Sequence, residues 1–147
     1  LVFTAAGPAS SATVRIGTIP APPRPLRILL VDDDPLLLKS LRDTLQQDGH
    51  LITAAPGGQA GVDTFNESLR RGEPFDLVIT DLGMPYVDGR KVATAVKSVS
   101  PDTPVVLLTG WGQRMIAANE KPGFVDRVLA KPPRLHELRA TFAELAP

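Results

Sequence analysis

Five short apolar runs, each followed by a stretch of helical period, dominate the chain from Leu26 onward. That alternation constrains the fold more than any other feature, because it is the signature of a parallel sheet with crossover helices. The runs are Leu26 to Val31, Leu51 to Ala54, Asp76 to Thr80, Pro104 to Thr109 and Arg127 to Leu129. The second and fifth are weak and are expected at the sheet edges. Apolar residues recur at helical spacing in Leu37, Leu38, Leu41 and Leu45, in Val62, Phe65 and Leu69, and in Val92, Val96 and Val99. They do so most clearly in Leu135, Leu138, Phe142 and Leu145. A further helix, short and poorly patterned, is expected between Gln113 and Glu120, making five. Asp34 followed by Pro35 reads as an N-cap with proline at the first helical position, and Gly49 stands where a C-terminal cap would.

The 147 residues suit one domain of roughly 150 residues. Residues 1–25, rich in Ala, Ser, Thr, Gly and Pro, read as an arm or linker ahead of a domain at 26–147. Within the arm, Thr13 to Ile19 alternates as a half-buried strand would. The chain begins at Leu1 without Met or the pattern of a signal peptide, which reads as a fragment of something longer. Sixteen basic residues balance sixteen acidic ones, so no global field gathers nucleic acid or anionic lipid, and specificity must be local. Runs such as Ile28 to Val31 fall far short of the roughly 20 residues that span a bilayer, and no membrane contact is expected. The absence of cysteine excludes disulfides, thiolate metal clusters and a cysteine nucleophile, and it fits a reducing, cytoplasmic location.

In an open parallel sheet, ligands and reactive groups gather at the carboxyl ends of the strands. The first run ends in Asp32-Asp33-Asp34, the third in Asp81 and the fourth in Thr109, and Lys131 follows the fifth. Any one aspartate alone is more simply a helix cap or a solvated loop charge. As a set they ask for a cation, because carboxylates about 5 Å apart repel by roughly 3 kcal/mol per pair at an effective dielectric near 20. Carboxylate oxygens with no His or Cys nearby suit a hard ion such as Mg²⁺. Asp32, Asp33 and Asp81 carry three negative charges, which one Mg²⁺ and Lys131 neutralise together. A lysine, the Thr109 hydroxyl and a divalent cation are the groups that offset charge on the oxygens of a transferring phosphoryl group. Asp81, alone at the end of a central strand, is the expected nucleophile, since an ionised carboxylate forms an acyl phosphate without a general base.

These residues resemble a known family. Arg27-Ile28-Leu29-Leu30-Val31-Asp32-Asp33-Asp34-Pro35, Asp76 through Pro85 with Asp88-Gly89, Val106-Leu107-Leu108-Thr109-Gly110 and Leu129-Ala130-Lys131-Pro132 occur in the order seen in receiver domains of two-component response regulators. The resemblance covers residues 26–147. It implies a flavodoxin-like, doubly wound α/β fold with strand order 2-1-3-4-5, and an aspartate phosphorylated by a histidine kinase or histidine phosphotransfer domain. By the same resemblance, Asp33 and Asp81 bind Mg²⁺ directly with the backbone carbonyl of Gly83, while Asp32 acts mostly through a metal-bound water. Thr109 bonds a phosphoryl oxygen, Lys131 pairs with the phosphate, Asp34 remains a cap, and the Lys131–Pro132 peptide is often cis. A dimer contact through the last helix region is a further expectation.

Two positions depart from the family or stand out beside it. Val128 occupies the place, three residues before the lysine, where the family usually has Tyr or Phe, a departure that removes the aromatic of the usual switch and leaves muted output, or service as a relay or sink for phosphoryl groups, as the expectations. Trp111, two residues beyond Thr109, is either a packing aromatic or a shield for the acyl phosphate. Gly7 to Pro20 resembles the end of a histidine kinase ATP-binding domain, which would make the parent a hybrid kinase; the plainer reading is a Pro-rich arm. Among rivals, a phosphatase resembling the haloacid dehalogenases would need a second acid two residues after the nucleophile, where this chain has Gly83. A receiver that binds partners without phosphorylation sits poorly with the intact Asp33, Asp81, Thr109 and Lys131. No direct nucleic-acid contact is expected, and the Gly110-Trp111-Gly112 run, with Met115 in place of the third glycine, is a negligible dinucleotide signal.

Overall fold

The computed structural model describes residues 24–110 and 123–147. In chain order the elements are β1 (Arg27–Val31), α1 (Pro35–Gln47), β2 (Leu51–Ala55), α2 (Gly58–Arg70), β3 (Leu77–Asp81), α3 (Gly89–Val99), β4 (Val105–Thr109), β5 (Arg127–Ala130) and α4 (Leu135–Leu145). The strands form one sheet in the order β2-β1-β3-β4-β5, and every neighbouring pair is parallel. The two weak runs are indeed the edges. Four helices are seen among the described residues; the short one expected between Gln113 and Glu120 lies outside them, as do Trp111 and the strand expected at Thr13 to Ile19.

Helices cover both faces of the sheet, and the alternation of side chains along each strand divides the core into two layers. Leu29, Val31, Val78, Val105, Leu107 and Val128 pack with Phe65 of α2 and with Val92, Ala93 and Val96 of α3. Their neighbours Ile28, Leu30, Leu77, Ile79, Val106, Leu108 and Leu129 pack with Leu38, Leu41 and Leu45 of α1 and with Leu138 and Phe142 of α4. Central β3 and β4 are buried at every residue, which is why they read as unbroken apolar runs, whereas edge β2 is buried only at Ala55.

The third strand starts one residue later than its apolar run suggests and continues through Asp81. Asp76 precedes it and turns its carboxylate to the start of β1, where Oδ2 accepts from Arg27 N at 2.8 Å. The same device recurs twice along this edge. Asp126, just before β5, accepts from Val105 N at 2.8 Å, and His50, just before β2, accepts from Leu26 N through Nδ1 at 3.0 Å. Val99, the last residue of α3, is exposed, so that stripe closes with Val96.

Helix entry is fixed by caps of known chemistry. Asp34 accepts from Leu36 N at 3.0 Å and from Leu37 N at 3.4 Å, with Pro35 opening α1. Asp88 accepts from Lys91 N at 3.0 Å at the start of α3. Gly49 follows α1 with φ of 94°, a left-handed conformation that glycine adopts without steric cost.

Candidate functional site

The register places four strand ends along one edge. Val31 pairs with Thr80, Asp81 with Leu108, and Thr109 with Ala130, so Asp32, Asp81, Thr109 and Lys131 emerge together. Ligand atoms of Asp32, Asp33 and Asp81 all lie within 4.8 Å of one another. Asp32 is 1% exposed, Asp81 6% and Thr109 2%, while Asp33 is open to solvent. The cluster is thus a buried pair of carboxylates with a third at its mouth.

Lys131 Nζ bridges the buried pair, 3.0 Å from Asp81 Oδ1 and 3.1 Å from Asp32 Oδ2. The contact with Asp81 is an aligned hydrogen bond. That with Asp32 is an ion pair by distance but lacks hydrogen-bond alignment, and Asp32 Oδ2 is a buried oxygen with no hydrogen-bond donor. Asp32 Oδ1 accepts from Asp34 N at 2.8 Å. Burial pushes the Asp32 carboxyl above the usual carboxylate range, and the nearby Asp81 adds to the shift, against the Asp34 N–H and Lys131 that favour its charge. For Lys131, burial disfavours the ammonium, but the Asp81 hydrogen bond and the adjoining Asp32 outweigh it, and its proton is held above the ordinary lysine value.

One lysine facing three acids leaves the cluster net negative. A hard divalent cation fits on the chemistry of the donors, all carboxylate oxygens, and on the observation that buried Asp32 Oδ2 still has an unmet acceptor capacity. Asp32, Asp33 and Asp81 each offer one carboxylate oxygen to such an ion. Gly83, itself exposed, lies two residues beyond Asp81 in the loop that leads to α3. The Lys131–Pro132 peptide is cis.

Two glycines matter to this edge although nothing in their local sequence assigns them a role. A Cβ on Gly89 would lie 2.4 Å from the Asp81 carbonyl oxygen, and one on Gly58 would lie 1.9 Å from the Val87 carbonyl oxygen. Both let a helix start close against the loop after β3. The signal that finds them is tertiary, since it depends on which backbone crosses above each residue.

An α/β domain with a 2-1-3-4-5 parallel sheet and a lysine-bridged acidic cluster at its carboxyl edge belongs to the class of doubly wound signalling and nucleotide-handling folds, and the cluster singles out phosphoryl chemistry within it. The chain belongs to the response regulator receiver domain family, whose model matches residues 28–143. It is 37% identical over 109 residues to the transcriptional regulatory protein GlrR of Escherichia coli K12, covering 74% of this chain and 23% of GlrR. It therefore spans about a quarter of that relative. Among solved structures, the response regulator protein TrrA of Thermotoga maritima in complex with Mg²⁺–BeF superposes with a TM-score of 0.70 at 28% identity, covering 81% of this chain and 97% of TrrA. TrrA in complex with the histidine kinase ThkA gives 0.69 at 27% identity, over 82% and 98% of the two chains. The chain is a receiver domain of the two-component type.

Proposed function

We propose that Asp81 accepts a phosphoryl group from a phosphohistidine on a histidine kinase or histidine phosphotransfer domain, in a reaction that depends on Mg²⁺. The observation that carries this reading is the bridging of Asp81 and Asp32 by Lys131 beside Asp33. It sets a buried carboxylate between a fixed ammonium and a net negative cluster that a divalent cation matches. Asp33, Asp81 and the Gly83 carbonyl would hold Mg²⁺ with Asp32 in support, and the ion supplies positive charge against the phosphoryl oxygens. An Asp81 carboxylate oxygen forms the new P–O bond as the P–N bond breaks. That electron pair stays on the partner's imidazole, which takes up a proton from solvent. Lys131 then transfers its hydrogen bond from Asp81 to a phosphoryl oxygen, and the Thr109 hydroxyl donates to another.

The Mg²⁺–BeF complex of TrrA supports the cofactor, and the complex of TrrA with ThkA supports the class of partner. In this reading residues 26–147 act as the receiver and residues 1–25 as its arm. No helix of the described residues is long and apolar enough to cross a membrane. Gly83 at the place of the second acid speaks against a turnover phosphatase.

The test is incubation with a small-molecule phosphodonor and Mg²⁺, followed by mass spectrometric location of the label. One phosphoryl group on Asp81 is expected, with none on an Asp81→Asn variant whose circular dichroism matches the wild type. Robust labelling of that variant, or repeated turnover of phosphate monoesters, overturns the reading.

A further inference from the structure

The sheet edge opposite the acidic cluster holds a buried side chain that phosphoryl transfer does not use. His50 is 3% exposed, and its Nδ1 accepts from Leu26 N at 3.0 Å. Its neutral ring therefore carries hydrogen on Nε2, a buried atom without a partner. The ring stands edge-on to Phe142 of α4, with centroids 5.3 Å apart. Three side chains fasten amides at the entries of β1 and β4 along this edge, and the other two fasteners are Asp76 and Asp126. Aspartates remain acceptors throughout the neutral range. A histidine acceptor is lost when it binds a proton.

We propose that His50 is a proton-operated latch on the entry to β1: protonation at Nδ1 cuts its bond to Leu26 N and loosens the chain at that amide and ahead of it, while the carboxyl edge of the sheet stays assembled. The surroundings compensate a proton on the ring only in part. From the end of α1, Asp48 faces the site, but its carboxylate is already held by Arg139 of α4, Nε to Oδ2 at 2.8 Å and Nη2 to Oδ1 at 2.7 Å. A proton on His50 thus adds a buried positive charge that the already paired Asp48 offsets only in part. Phe142 from α4 and the backbone of Leu26 from the lead-in offer no negative charge. Leu26 itself stays anchored by its buried side chain and by its carbonyl, which accepts from Leu51 N at 2.9 Å, whereas ahead of it Arg24 gives its Nε to the Pro147 carbonyl oxygen at 3.1 Å in an exposed contact.

Burial holds the His50 proton affinity below the ordinary histidine value, outweighing the pull of Asp48. Between the folded and unfolded values, the unfolded chain binds the proton more readily. The contribution of His50 to stability is therefore complete above the unfolded value of 6.5 and falls as pH drops toward the folded one.

The test follows the histidine ring nitrogens and the amide exchange of the intact chain by ¹⁵N NMR, from about pH 8 to about pH 5, a range that brackets histidine titration. The expected result is an Nε2–H ring at high pH, and a Leu26 amide whose protection, corrected for intrinsic exchange, falls by up to about tenfold per unit of pH in step with His50 titration. The Arg27 and Val105 amides, held by aspartates, keep their protection and serve as internal controls. In a His50→Asn variant, which keeps an oxygen acceptor and cannot titrate, Leu26 protection is expected to be independent of pH. A Leu26 amide that tracks Arg27 throughout His50 titration overturns the proposal, as does an Nδ1–H ring at high pH. So does a pH-dependent Leu26 in the variant. The wild-type measurements decide even if that variant fails to fold.

Discussion

Asp32 shows the tension between stability and function in a single side chain. It is buried beside a second carboxylate, shares one ammonium with it, and has its carboxyl pushed up by desolvation. Because its folded-state value is raised, its stabilising contribution is complete below the unfolded value of 3.8 and lost as pH rises through the folded value. At neutral pH the metal-free domain carries that cost. An Asp32→Asn variant keeps an oxygen for the Asp34 N–H and removes the charge. It is expected to unfold at higher urea than the wild type without Mg²⁺, by about 1 kcal/mol, the usual gain from relieving a functional strain. Equal or lower stability of the variant would show that the pairing with Lys131 outweighs burial.

Elements in this domain are set mostly by local chemistry. The Asp34 cap and Pro35 fix where α1 begins, and Asp34→Ala is expected to lower stability by about 1 kcal/mol in thermal or urea unfolding, with the loss concentrated in amide protection of the first turn of α1. Periodicity located all four described helices and both edge strands, because each helix buries one stripe and each central strand is covered on two faces. It misplaced the start of β3. Asp76 adjoins an apolar run, and nothing adjacent in sequence tells that its carboxylate serves the first amide of β1, 49 residues away. The exposed Val99 is the same kind of miss, since a periodic position says which way a residue faces but not where the layer beneath it ends.

At the scale of the whole molecule, the acidic cluster was legible because a parallel sheet brings every strand's carboxyl end to one side, so residues at run ends converge without any knowledge of contacts. The bridging of Asp32 and Asp81 by one ammonium, the tight seats of Gly58 and Gly89, and the role of His50 were not legible, since each depends on an element distant in sequence. The net negative cluster also makes global stability respond to a hard cation. Mg²⁺ at about ten times its Kd is expected to stabilise the wild type by about 1.4 kcal/mol, seen as a rise in unfolding midpoint with Mg²⁺ concentration. A midpoint indifferent to Mg²⁺ would leave the cluster without its proposed ion.

The counter-charge for the cluster comes from Lys131, just past β5, the last strand of the sheet, whereas Asp32 and Asp33 come from the first. A ribosome that has delivered only the front four strands has made the acids without the base that tames them. Competence to be charged with phosphate thus waits on Lys131, and a copy cut before that residue has no means of passing as a messenger.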